Sequence, residues 1–134
     1  MKIVLFICVE NARRSQMAEA LFNEMARRLG VKARAVSAGT NPAETVDLKA
    51  VEAMRKIGIN IEGQKPKLLT GEIVEKADRV ITMGCGAEVC PIVPKEIENW
   101  RIEDPKGKSI RKFMEVRDEI QKKILKLLEE LGER

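Results

Sequence analysis

The chain has no histidine and no tyrosine, and its aromatic residues are one tryptophan and three phenylalanines in 134 residues. Without histidine, acid–base work near neutral pH falls to carboxylates, lysines or thiols, and a metal site loses its commonest nitrogen ligand. With so few aromatics and no basic tail, there is little to stack on bases. The net charge of +4 therefore suits an anionic substrate or an acidic partner and does not suggest nucleic acid. The first apolar run, Ile3 to Ile7, is too short to span a bilayer, and no secretory leader precedes it. The expectation is a cytoplasmic protein with no membrane role. Cysteine is scarce and odd in number, three in all, so any single disulfide leaves a thiol over. In such a chain this points to redox or nucleophilic chemistry more than to structural bridges.

What is present fits one domain spanning residues 1–134, with 44% apolar and 34% charged residues. Ile3-Val4-Leu5-Phe6-Ile7 reads as a buried strand. It runs directly into Cys8-Val9-Glu10-Asn11-Ala12-Arg13-Arg14-Ser15, and Gln16 to Leu29 then has helical spacing and is closed by Gly30. A loop feeding a helix N-terminus presents unpaired N–H groups and a partial positive charge, which bind oxyanions and favour a thiolate. Arg14 can return to the same point and grip two oxygens with its planar fork. A thiolate under a cradled tetrahedral oxyanion is placed for attack on phosphorus or arsenic.

Further along, Ala33–Ala38 reads as a second strand, Asp47–Ile57 as a helix and Gly71–Ala77 as a short helix. Asp78–Met83 is expected as a third strand, Trp100–Ile102 as a fourth, and Ser109–Leu131 as the last helix. Strands alternating with helices predict a three-layer α/β fold around a four-stranded parallel sheet, with ligands at the carboxyl ends of the strands. Cys8, the Cys85–Cys90 segment and Asp104 each follow a strand and are expected to meet at one sheet edge.

The Cys-x5-Arg-Ser loop between strand and helix resembles the signature of the low-molecular-weight tyrosine phosphatase family, which includes thioredoxin-coupled arsenate reductases. Met83-Gly84-Cys85-Gly86-Ala87-Glu88-Val89-Cys90-Pro91 resembles the redox segment of that reductase branch. Ser37-Ala38-Gly39-Thr40, Asp104-Pro105 and Val116-Arg117-Asp118-Glu119-Ile120 resemble the same family, in its order. The resemblance implies Cys8 as nucleophile, Arg14 as anion clamp and Asp104 as general acid. It also implies that Ser15 hydrogen-bonds the thiolate, that Asn11 braces the loop against the Ser37 region, and that backbone from Val9 to Arg14 binds substrate.

Two chemistries remain open on these residues. In arsenate reduction, Cys85 attacks Cys8 and expels arsenite, Cys90 attacks Cys85, and an external thioredoxin or similar dithiol removes the disulfide. In the alternative, a protein-tyrosine phosphatase or other phosphomonoesterase, Cys8, Arg14 and Asp104 suffice and a phosphocysteine is hydrolysed by water. Neither needs a bound cofactor. Three cysteines without histidine make a poor zinc site, and Lys67 stands about where some of the reductases use an aspartate to hold potassium, so no metal is expected. Three further departures from the family pattern stand out: Glu10 in place of the usual glycine, Arg13 where a second loop cysteine often lies, and Lys106-Gly107 where phosphatases carry aromatic residues.

Overall fold

The computed structural model describes residues 1–84 and 97–132. Its elements are β1 (Lys2–Cys8), α1 (Arg14–Leu29), β2 (Ala33–Gly39), α2 (Leu48–Arg55), α3 (Gly71–Lys76), β3 (Arg79–Thr82), β4 (Ile97–Asn99) and α4 (Ile110–Gly132). The strands form one sheet in the order β2-β1-β3-β4, and every pairing is parallel. This is the α/β architecture expected from the sequence.

β1 lies at the centre, and its uninterrupted apolar run follows from burial on both faces. Val4 and Phe6 face the larger core with α1, α2 and α4, while Leu5 and Ile7 face the smaller one with Val74 and Ala77. The period-two alternation of a strand produces this division directly. Phe6 packs edge-on against Phe22 at 6.1 Å between ring centroids and tilts on Trp100 at 5.5 Å. Three of the chain's four aromatics thus meet behind the carboxyl end of β1.

The fourth strand lies earlier than expected, at Ile97–Asn99 and not at Trp100–Ile102. Trp100 and Ile102 are both buried, which imitates a strand's alternation. Their backbone has run past the ladder, because β3 ends at Thr82 and its last acceptor is taken by the Trp100 N–H at 2.8 Å. In this stretch the apolar signal marks core packing beyond the sheet edge.

Two of the three segments expected to meet at one sheet edge are described. Cys8 ends β1 opposite Gly39 of β2, Met83-Gly84 follows β3, and Ile102 to Asp104 follow β4. Cys85 and Cys90 lie outside the described residues.

Candidate active site

Between β1 and α1 the backbone is turned so that its carbonyls face away from the loop's concave side. The carbonyl of Cys8 accepts from Thr40 N–H, that of Val9 from Asn41, that of Glu10 from Ala43, and that of Ala12 from Asp47. The Asn11 carbonyl takes the Gln16 side-chain amide at 3.0 Å, and the Arg13 carbonyl takes Met17 N–H inside α1. In a trans peptide the C=O and the following N–H point in opposite directions. With each carbonyl from Cys8 to Arg13 engaged outward, the N–H groups of Val9 to Arg14 are directed inward. The first turn of α1 adds amides without intrahelical partners. This is the geometry of a nest of backbone dipoles suited to an anion, with Cys8 beside it.

The thiol is buried, and two donors address it. Asn11 N–H lies 3.2 Å from Cys8 Sγ, and Ser15 Oγ lies 2.8 Å away. Asn11 Nδ2 donates to Ser15 Oγ at 2.7 Å. Its Oδ1 accepts from Gln16 Nε2 at 3.0 Å and Lys67 N–H at 2.8 Å, which fixes the amide's orientation. Ser15 thus receives a bond from Asn11 and has its own proton for the sulfur. Asn11 itself sits at φ +51°, a left-handed conformation that asparagine tolerates better than most residues.

The loop is braced through Asn11 and through the end of β2. Asn11 is tied to Ser15, Gln16 and Lys67, and Ser37 Oγ donates to Glu19 Oε1 at 2.6 Å. The support from that region comes two residues later. A Cβ on Gly39 would lie 2.5 Å from the Val9 carbonyl oxygen, so only glycine lets β2 approach the loop this closely.

Arg13 and Arg14 point to different tasks. Arg14 is buried at the ends of β3 and β4, where Nη1 donates to the carbonyls of Met83 and Ile102, the latter at 2.8 Å, and Nη2 stands 3.6 Å from Asp104 Oδ2. Arg13 is equally buried and sets one carboxylate on each of its nitrogens. Nε faces Asp104 Oδ1 at 2.9 Å, Nη2 faces Glu10 Oε1 at 2.9 Å, and Nη1 faces Asp47 Oδ2 at 3.4 Å. Burial disfavours the Arg13 charge, but Glu10 and Asp104 together outweigh it and its pKa is raised.

Glu10 is thereby explained. Its other oxygen takes Lys106 Nζ at 2.6 Å, so it links the loop to the segment bearing Asp104 and does not confront the anion site as a free charge. The hydrogen bond from Lys106, with that from Arg13, holds its pKa below the ordinary carboxylate value. Lys106 N–H also donates to Asp104 Oδ1 at 3.1 Å. Asp47, Gln16 and Lys106 are site residues that sequence reasoning missed. In the sequence Asp47 reads only as the start of a helix; it is the N-cap of α2, its side chain accepts from Lys49 N–H, and nothing in the sequence pairs it with Arg13.

The arrangement brings a nucleophilic sulfur, an amide cradle, a guanidinium and a carboxyl group into one place. It can bind a tetrahedral oxyanion, form a bond from sulfur to its central atom, and protonate the oxygen that leaves.

Comparison with known proteins agrees with this geometry. Residues 3–134 match the sequence model of the family described as Low molecular weight phosphotyrosine protein phosphatase. Arsenate reductase 2 of Staphylococcus saprophyticus is 40% identical over 126 residues, 92% of this chain and 93% of that protein. Among solved structures, a low molecular weight protein tyrosine phosphatase from T. tengcongensis superposes with a TM-score of 0.91 at 31% identity, covering 98% of this chain and all of that one. A thioredoxin-dependent arsenate reductase of Corynebacterium glutamicum is 37% identical with a TM-score of 0.79, covering 98% of this chain and 62% of that one.

Proposed function

The chain belongs to the low molecular weight phosphotyrosine protein phosphatase family, and from that premise we propose that it reduces arsenate to arsenite through a thiol relay. Arsenate binds in the amide cradle, and Arg14 neutralises charge on its oxygens. The Cys8 thiolate attacks arsenic while Asp104 gives a proton to the departing oxygen, which leaves as water. Cys85 then attacks Cys8 Sγ. The electron pair of the sulfur–arsenic bond stays on arsenic, which leaves as arsenite, and a Cys8–Cys85 disulfide remains. Cys90 attacks Cys85 and frees Cys8, and an external dithiol of the thioredoxin type reduces the Cys85–Cys90 disulfide. The two electrons come from thiols throughout, so the scheme uses no bound cofactor. It requires a reducing compartment, and the cytoplasm is proposed on that ground.

One observation carries the reading. Arg14 packs against the carboxyl end of β3 so closely that a Cβ on Gly84 would lie 2.8 Å from its Nη1. Gly84, the residue before Cys85 in the sequence, stands at the wall of the anion site, and this supports the relay.

The second reading is phosphomonoester hydrolysis through a Cys8 phosphocysteine, favoured by the close superposition on a tyrosine phosphatase. Against an aryl-phosphate preference, Lys106 follows Asp104-Pro105 and is engaged by Glu10, leaving no aromatic wall there. The test is substitution of the downstream thiols. Cys85→Ser or Cys90→Ser is expected to abolish multiple-turnover arsenate reduction and to spare phosphate-ester hydrolysis. Undiminished reduction in either variant overturns the relay.

A further inference from the structure

We propose that Arg13 is a positioning residue for the acid step, holding Asp104 by Oδ1 so that the transferable proton resides on Oδ2. The inference rests on the reading of Asp104 as general acid and adds which atom acts and what aims it.

Asp104 Oδ1 accepts two N–H groups, Arg13 Nε at 2.9 Å and Lys106 N at 3.1 Å. A carboxyl group carries one proton, and the oxygen already receiving two donors is the poorer place for it. Oδ2 faces Arg14 Nη2 at 3.6 Å, beyond hydrogen-bond length and beside the guanidinium that grips the anion. The protonated acid therefore presents Oδ2 to the bound oxyanion. In the first step the Oδ2–H bond breaks and that proton joins the leaving oxygen. The sulfur bond to arsenic or phosphorus forms as that atom's bond to the leaving oxygen breaks, and Asp104 is left ionised.

The Arg13 guanidinium is well suited to this work. Its three nitrogens each face a different carboxylate, from the anion loop (Glu10), from the N-cap of α2 (Asp47) and from the segment after β4 (Asp104). A planar fork can satisfy three directions at once, which a lysine ammonium on a flexible stem does not reproduce. Because Arg13 belongs to the cradle itself, acid and nucleophile are referenced to the same short stretch of backbone. Glu10 and Lys106 close a second link between the same two segments at 2.6 Å.

A series of aryl phosphates tests the assignment, because an ester with a poor leaving group needs the acid more than one with a good leaving group. Arg13→Lys is expected to lower kcat/KM for phenyl phosphate at least about tenfold more than for 4-nitrophenyl phosphate. Asp104→Asn is expected to show the same pattern. The double variant should be no worse than Asp104→Asn within about threefold, since coupled residues do not add. Equal losses on both esters, or full additivity with Asp104→Asn, would reduce Arg13 to a folding role and overturn the proposal. Should Arg13→Lys not fold, Arg13→Gln keeps a planar donor and is read by the same ratio. A wild-type enzyme that cleaves neither ester would overturn the acid role of Asp104 in ester cleavage and this assignment with it. Failure of the thiol relay is a separate outcome, because it would leave the leaving-group pattern intact.

Discussion

Cys8 Sγ and Ser15 Oγ lie 2.8 Å apart, and Asn11 Nδ2 donates to the same serine oxygen. When Cys8 is a thiolate it can only accept, so the serine hydroxyl is the donor of the pair while its oxygen receives Asn11 Nδ2. A hydrogen bond to a charged acceptor contributes about 1.5–3 kcal/mol. Ser15→Ala should accordingly slow the first chemical step by roughly tenfold to a hundredfold. Single-turnover kinetics with an aryl phosphate measures this, and alkylation of Cys8 by iodoacetamide at neutral pH should slow in parallel. An unchanged single-turnover rate would show that the serine proton does not serve the sulfur.

Gly39→Ala should damage the anion site from outside it. The new Cβ would meet the Val9 carbonyl at 2.5 Å, so either β2 or the loop must shift. Overpacking of this kind costs about 1–3 kcal/mol. Inorganic phosphate is expected to bind about tenfold or more weakly, as read by calorimetry. Unchanged phosphate affinity would show that the cradle does not depend on the close approach of β2.

These two positions also show how far the sequence could be read. Cys8 and Arg14 were legible because a strand, a loop and a helix start occur in immediate succession, whereas the role of Ser15 came from the family resemblance. The parallel sheet was legible for a similar reason, since β1 is apolar at every position that burial on two faces requires. Bracing contacts were not. Asn11 meets Lys67 and Arg13 meets Asp104 only after the chain has folded, and no local pattern reports a partner so distant in sequence. Resemblance implied that Asn11 braces the loop against the Ser37 region; the Ser37 hydroxyl donates to Glu19, and Gly39 is the residue of that region lying against Asn11. Glu10 was legible only as a departure from the family's glycine, and its two partners, Arg13 and Lys106, are visible only in the fold.

The Glu10 link sets a pH dependence whose sign can be worked out. Lys106 and Arg13 hold the Glu10 pKa below its ordinary value of 4.5, so between the folded and unfolded values the unfolded chain binds more protons. Its contribution to stability is therefore complete above 4.5 and lost as pH falls through the lowered folded value. Glu10→Gln should lower the thermal midpoint at pH 7, and the gap from wild type should close on acidification below that window. A gap that persists unchanged into strong acid would contradict the link.

Arg117 offers a prediction about stability alone. It is buried on α4, and its Nη1 donates at 2.8 Å to the carbonyl of Ala53 in the last turn of α2, an acceptor without an intrahelical partner. Arg117→Met preserves much of the packing volume but leaves that carbonyl unpaired, at a cost of about 1–3 kcal/mol. Denaturant unfolding should show the loss, with kcat for aryl phosphate hydrolysis nearly unchanged. No change in the unfolding midpoint would show that α2 does not rely on this bond.

The central claim is that this anion site feeds a thiol relay, and coupled turnover tests it most directly. Wild-type protein is supplied with arsenate, thioredoxin, thioredoxin reductase and NADPH, and NADPH oxidation is followed beside arsenite formation. The account predicts sustained oxidation, one NADPH per arsenite formed, abolished by Cys8→Ser. Hydrolysis of an aryl phosphate by the same protein without any arsenate-dependent NADPH oxidation would contradict it.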